Sequence, residues 1–215
     1  MGKTGIVIGA TGLVGSQIVN LLLDDDRYSL VKVFHRRSTG LQHPKLEEHI
    51  IDFDEIDEWK SQIKGDELYS ALGTTIKKAR SQERQYTIDY TYQFETAKAA
   101  AENGVKKYSL VSSAGADPQS KVFYSRLKGE LDEAVKKLPF ELITVMRPSI
   151  LAGERNESRP GEAIGMFLAR IFTKISGLKK YRPIPGRTVA QGMINSLHKC
   201  PPGYHIFELD EIFHL

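Results

Sequence analysis

Apolar and polar positions change period along this chain in a regular way. Ile6, Val7 and Ile8 form a short β-branched run, the pattern of a strand buried on both faces. From Leu13 the apolar residues become Leu13, Val14, Ile18, Val19, Leu21, Leu22 and Leu23, close to helical spacing. A second strand is predicted over 30–34, and a third and fourth over 49–53 and 68–72. An alanine-rich helix follows over about 87–103, with Gly104 placed to end it. A strand over 107–112, a helix over about 119–137 and a sixth strand over 142–146 complete the regular part. Strands alternating with helices at this spacing predict an α/β fold, doubly wound, with a mostly parallel sheet covered on both faces.

Beyond Arg147-Pro148 the pattern changes. Residues 152–162 are polar and loop-like, and 162–175 are amphipathic. A segment containing Gly177, Pro183, Pro185 and Gly186 leads to a helix over 189–198 and a last strand over 205–209. This tail is too short to fold alone. Residues 1–215 are therefore expected to form one domain, with a small C-terminal substrate cap beginning at about 152.

Composition narrows the class. The 215 residues are 40% hydrophobic and 27% charged, a balance that excludes a disordered or low-complexity chain. Thirty basic and 27 acidic residues leave a net charge of +3, too little for a typical nucleic-acid binder. The one cysteine, Cys200, permits no intrachain disulfide and suits a reducing compartment. The uncharged run 5–23 contains four glycines together with Thr11, Ser16, Gln17 and Asn20, an unusual mixture for a membrane span. A soluble, cytoplasmic protein that binds neither membrane nor nucleic acid is expected. The six histidines show no metal-ligand spacing.

The candidate chemistry begins directly after the first strand. Gly9-Ala10-Thr11-Gly12-Leu13-Val14-Gly15 opens the first helix, which is where a dinucleotide site places its glycines. Gly9 permits the tight turn, Gly12 lets the backbone approach a pyrophosphate, and Gly15 allows close packing of helix on strand. The helix N-terminus adds unpaired N–H groups and partial positive charge. Gly2-Lys3-Thr4 imitates the end of a P-loop, but a strand follows it rather than a helix. The second strand ends at His35-Arg36-Arg37, without a carboxylate. Guanidinium groups there suit the 2′-phosphate of NADP(H), where an acidic residue would suit NAD. Tyr124 and Lys128 lie four residues apart on one predicted helix, hence on one face. An ammonium beside a phenol favours the phenolate and makes it a usable proton donor and acceptor. Ser112 and Ser113 both stand at the end of the preceding strand, and either hydroxyl is placed to polarise a carbonyl.

Residues 9–15, Ser112-Ser113, Tyr124-x-x-x-Lys128 and Arg147-Pro148-Ser149 together resemble the short-chain dehydrogenase/reductase superfamily. More narrowly, Leu72-Gly73-Thr74-Thr75, Leu110-Val111-Ser112-Ser113-Ala114-Gly115-Ala116-Asp117 and Glu157-Ser158-Arg159-Pro160-Gly161-Glu162 resemble its atypical Tat-interacting-protein-like group. The resemblance implies a Rossmann fold, bound NADP(H) and a Ser–Tyr–Lys set. In that set Ser113 polarises the carbonyl, Tyr124 exchanges the proton, and Lys128 binds nicotinamide ribose and tunes the tyrosine. Leu72 and Gly73 line the cofactor after the fourth strand, and Asp52 lies near the adenine. The fourth-strand loop, Ala71-Leu72-Gly73-Thr74, departs from the Asn-Asn-Ala-Gly of classical members.

The expected function is an NADP(H)-dependent oxidoreductase acting on a small carbonyl or alcohol. Two other readings compete. Epimerase or dehydratase chemistry on a nucleotide sugar would use the same three residues. A non-catalytic redox sensor would bind NADPH and report to a protein partner without needing all three.

Overall fold

The structure, a computed structural model, describes residues 2–152 and 180–215. Seven strands form its main sheet: β1 (Lys3–Ile8), β2 (Tyr28–His35), β3 (Leu46–Ile50), β4 (Glu67–Ser70), β5 (Lys107–Val111), β6 (Leu142–Arg147) and β9 (Gly203–Glu208). Their order is β3-β2-β1-β4-β5-β6-β9, and every pairing in it is parallel. This is the Rossmann strand order with a seventh strand added. Two short strands, β7 (Leu151–Ala152) and β8 (Ile184–Pro185), pair separately. The helices are α1 (Gly15–Leu23), α2 (Ile56–Trp59), α3 (Ile76–Ala79), α4 (Gln82–Tyr86), α5 (Tyr92–Glu102), α6 (Phe123–Val135) and α7 (Gly186–Lys199). A π-helical turn, Thr87–Thr91, joins α4 to α5. Among the described residues no helix is long and apolar enough to cross a membrane. The uncharged run 5–23 is divided between β1 and α1.

The sheet separates two cores because successive side chains of a strand point to opposite faces. Val7, Val31, Val33 and Met146 face α1 and α7, which contribute Ile18, Val19, Leu22, Val189, Met193 and Leu197. Ile6, Ile8, Phe34, Leu68, Leu110 and Val145 face the other way, toward Ala97 and Ala100 of α5 and Leu131 and Val135 of α6. Both faces being covered, β1 has no polar alternation to show. Each of these large side chains contributes about 1.5–3 kcal/mol on burial.

The third strand departs from the predicted 49–53 and occupies 46–50 instead. Among the described residues it is an edge strand, paired only with β2, so its faces need not be apolar. Its sequence, Leu46-Glu47-Glu48-His49, is the charged kind that discourages edge-to-edge pairing. The apolar Ile51 and Phe53 pack into the core just beyond it. The helix predicted from about 119 begins at Phe123. Before it, Asp117 Oδ1 accepts the Gln119 N–H at 2.8 Å and Ser120 Oγ accepts the Val122 N–H at 3.1 Å. These side chains hold the backbone in turns that compete with helix. The helix predicted over 189–198 starts earlier, at Gly186, because Pro185 (φ −61°) sets the entry geometry.

At the amino ends of the strands, away from the glycine loop, Glu67 is 1% exposed. Its carboxylate accepts Lys3 Nζ at 2.7 Å, Tyr69 Oη at 2.8 Å and Tyr28 Oη. His198 of α7 closes the cluster, with Nε2 2.9 Å from Tyr28 Oη and Nδ1 3.1 Å from Lys3 Nζ. Burial pushes the Glu67 carboxyl up, but the hydrogen bonds from Lys3, Tyr28 and Tyr69 outweigh it and hold the group below its ordinary range. A carboxyl depressed in the folded state stabilises the fold above its unfolded pKa, and that contribution disappears as pH falls through the folded value. We predict that Glu67→Leu lowers unfolding stability by about 3 kcal/mol at neutral pH, since it removes the charged acceptor that Lys3, Tyr28 and Tyr69 share. The deficit should shrink in acid, below the ordinary carboxylate range. Urea unfolding across pH checks both statements, and a deficit independent of pH contradicts them.

Candidate active site

The connections leave β1 and β4 in opposite directions, so a crevice opens between their carboxyl ends, the place where ligands bind in such sheets. Gly9 follows β1 with φ +80°, a conformation that L side chains rarely adopt. A Cβ there would stand 2.4 Å from the Ala71 carbonyl carbon. A Cβ at Gly15 would stand 2.1 Å from the Gly9 oxygen, so α1 rests directly on the turn that precedes it. Gly12 differs, because the nearest atom to its Cβ position is the Gly9 oxygen at 3.2 Å. The fold requires glycine at 9 and 15, whereas at 12 its absent side chain leaves room for a group outside the chain. Thr11 is exposed, Leu13 half-buried and Val14 buried at the helix cap. The N–H groups of Leu13 and Val14 have no backbone partner among the described residues. These features fit a dinucleotide pyrophosphate.

At the end of β2, His35 is 5% exposed, and neither ring nitrogen has a hydrogen-bond partner among the described residues. Its Nε2 lies 3.5 Å from Glu48 Oε1, and burial pushes its pKa down. Arg36 and Arg37 are exposed, and neither makes an ion pair among the described residues. Nearby, Asp54 is held below the ordinary carboxylate range by hydrogen bonds from Tyr92 and Arg84, with a smaller contribution from the charge of Arg36. Asp52 is exposed; its carboxylate accepts the Asp54 N–H at 3.0 Å and its carbonyl accepts Trp59 Nε1 at 2.8 Å. Leu72 is half-buried and Gly73 exposed just past β4.

The two serines after β5 are separated by the structure. Ser112 is 4% exposed, and its hydroxyl is committed to Asp132 Oδ2 at 2.9 Å. Ser113 is half-buried, and among the described residues its hydroxyl makes only a 3.4 Å contact to the Ala114 carbonyl, so it is less committed than Ser112. Tyr124 lies in the first turn of α6, 39% exposed. Lys128, one turn on, is 3% exposed, with Nζ 3.5 Å from the Val111 carbonyl. No hydrogen bond joins Tyr124 Oη to Lys128 Nζ among the described residues; the shared helix face brings them together.

Sequence reasoning missed two carboxyls. Asp89 is 1% exposed within the π-helical turn. Its Oδ1 accepts the Thr74 N–H at 2.6 Å and its Oδ2 accepts Gln85 Nε2 at 3.3 Å. Asp132 is fully buried and accepts Arg147 Nε at 3.0 Å besides Ser112. Burial pushes both carboxyls up, and the charge of Lys128 opposes that in each case. Asp132 carried a signal, because it follows Tyr124 and Lys128 at four-residue steps. Asp89 carried almost none, since π turns leave no distinct sequence pattern, although they recur at functional sites. Of the cap expected from 152, residues 153–179 lie outside the described residues.

Residues 9–162 match the model of a family described as NAD(P)H-binding. The chain is 38% identical over 181 residues to "Protein fmp52, mitochondrial" of Emericella nidulans, covering 80% of this chain and 78% of that protein. It is 32% identical to "Protein HTATIP2" of Rattus norvegicus over an alignment of 223 residues, 99% of this chain and 89% of the relative. Its fold is similar to that of the Bordetella bronchiseptica enzyme WbmH in complex with NAD+, with a TM-score of 0.73 at 15% identity over 97% of this chain and 76% of that one. A UDP-glucose 4-epimerase of Thermotoga maritima with UDP-glucose gives 0.69 at 16% identity, covering 98% and 80%. The two structures share the fold. The cytoplasmic location expected from the sequence is corrected by the fungal relatives, which are named mitochondrial. Neither a lone cysteine nor an interrupted apolar run distinguishes one reducing compartment from another.

Proposed function

The chain belongs to the NAD(P)H-binding family, and on that premise we propose that it is an NADP(H)-dependent oxidoreductase acting on a small carbonyl or alcohol. Gly9, Thr11, Gly12, Leu13, Val14 and Gly15 receive the pyrophosphate, and Leu72, Gly73 and Asp52 border the adenosine half. Arg36 and Arg37, beside His35, receive the 2′-phosphate. A nicotinamide held there would supply or accept the hydride. Ser113 donates a hydrogen bond to the carbonyl oxygen, and Tyr124 gives that oxygen its proton during reduction. Lys128 holds the nicotinamide ribose and favours the phenolate of Tyr124.

The observation that carries this reading is the division of labour at β5. The Ser112 hydroxyl is bonded to Asp132, while Ser113, at the carboxyl end of β5, is half-buried with only a 3.4 Å contact to the Ala114 carbonyl among the described residues. A protein that only senses cofactor needs no such arrangement.

Binding titrations with NADPH and NADH test the cofactor, and an NADPH-consumption screen over diverse carbonyl compounds tests the reaction. NADPH should bind more tightly. Arg36→Ala combined with Arg37→Ala should narrow the gap by about tenfold or more, as expected for charge-assisted hydrogen bonds to one phosphate. Equal affinities in the unaltered protein would remove the NADP(H) assignment. Tight NADPH binding without turnover on any carbonyl would favour the sensor.

A further inference from the structure

We infer that Glu48 is a positioning residue for cofactor choice, fixing the turn after Arg36 and Arg37 so that both guanidiniums stand ready for the 2′-phosphate. The inference rests on the NADP(H) reading above. Two arginines can present a bidentate surface only if the backbone beneath them is held. On the amino side it is held by the sheet: His35 ends β2, and its carbonyl accepts the Ile51 N–H at 3.0 Å. On the carboxyl side no secondary structure follows until β3, and the restraint comes from one side chain of that strand. The Glu48 carboxylate accepts Ser38 Oγ at 2.6 Å, the Thr39 N–H at 2.9 Å and Thr39 Oγ1. Those two hydroxyls in turn accept the N–H groups of Gly40, at 3.0 Å, and Leu41, at 3.2 Å. The turn 38–41 is therefore a small network with Glu48 at its centre, and Arg36-Arg37 is a two-residue bridge between fixed ends.

The same contacts decide which groups are left for a ligand. The Thr39 N–H and both hydroxyls are spent on Glu48, and the His35 ring is buried against it. The guanidiniums of Arg36 and Arg37, both exposed and without an ion pair among the described residues, remain for a ligand. A carboxylate beside an anion site would otherwise repel the phosphate, but this one is surrounded by donors and its side chain is 19% exposed. Core packing does not account for it, because β3 is an edge strand with no fully buried residue.

The test compares dissociation constants for NADPH and NADH, measured by calorimetry on the full chain. Glu48→Ala should weaken NADPH by about tenfold and leave NADH within about twofold. Glu48→Gln retains the size and one acceptor oxygen, and should keep NADPH within about threefold of the unaltered protein. Ser38→Ala with Thr39→Val removes the two hydroxyl donors to Glu48 from the other side, leaving the Thr39 N–H bond in place, and should reproduce much of the loss. If Glu48→Ala and the Ser38/Thr39 variant leave the ratio unchanged, or tighten NADPH, the inference is overturned while the cofactor reading stands. If the unaltered protein shows no preference between cofactors, both fall.

Discussion

Replacing Tyr124 by phenylalanine is expected to lower carbonyl reduction by about 10²–10⁴-fold, the range for losing a positioned general acid. Cofactor affinity should stay within about twofold. The substitution removes one hydroxyl from a side chain that is 39% exposed, so it creates neither a cavity nor a stranded buried donor. Stability should change by no more than about 0.5 kcal/mol. Lys128→Ala should behave differently. Its ammonium is buried, and its charge favours the anionic forms of Asp89 and Asp132. Removing it should weaken cofactor binding and destabilise the fold as well as stop turnover. Single-turnover NADPH oxidation, with calorimetric binding and urea unfolding, separates these effects. A Tyr124→Phe protein with full activity would require another proton donor.

The three glycines of the loop should fall into two classes. Gly9→Ala and Gly15→Ala are each expected to cost about 3 kcal/mol or more in stability. The first forces a side chain into φ +80° and onto the Ala71–Leu72 backbone just past β4, and the second drives a Cβ into the Gly9 carbonyl. Gly12→Ala should fold within about 1 kcal/mol of the unaltered protein, since its new Cβ has only one tight neighbour. It should nevertheless lose NADPH affinity by about tenfold or more, because a methyl occupies the space left for the pyrophosphate. Unfolding curves and binding titrations on the three variants give the answer, and a well-folded Gly12→Ala protein that binds normally contradicts it.

Much of this architecture was legible because each face of the sheet is covered by helices. Ile6-Val7-Ile8, the glycine turn and the helix after it follow directly from sequence, and so does the alternation that yields a parallel sheet. What periodicity could not locate was the edge. β3 is charged, so the apolar run at Ile50, Ile51 and Phe53 drew the expected strand three residues too far along. The candidate site was legible where its proposed groups sit on one helix face or one turn, as with Tyr124 and Lys128. Spacing alone could not choose between Ser112 and Ser113, because the choice depends on Asp132 reaching across from another element. Nor could it mark Glu48, whose partners are nine and ten residues away across a loop.

One of the two cores has an unusual composition in time. The layer that covers α1 draws Ile184, Val189, Ala190, Met193, Ile194, Leu197 and Ile212 from the chain's last stretch. Synthesis proceeds from the amino end, so α1 and the glycine turn emerge first and then wait for these residues before their apolar side can be shielded. The opposite core needs only segments made earlier, from Ile6 to Val145 for its fully buried members. The two sides of the sheet therefore close in sequence, and the glycine turn stays on an unfinished layer until residues 184–212 have been made.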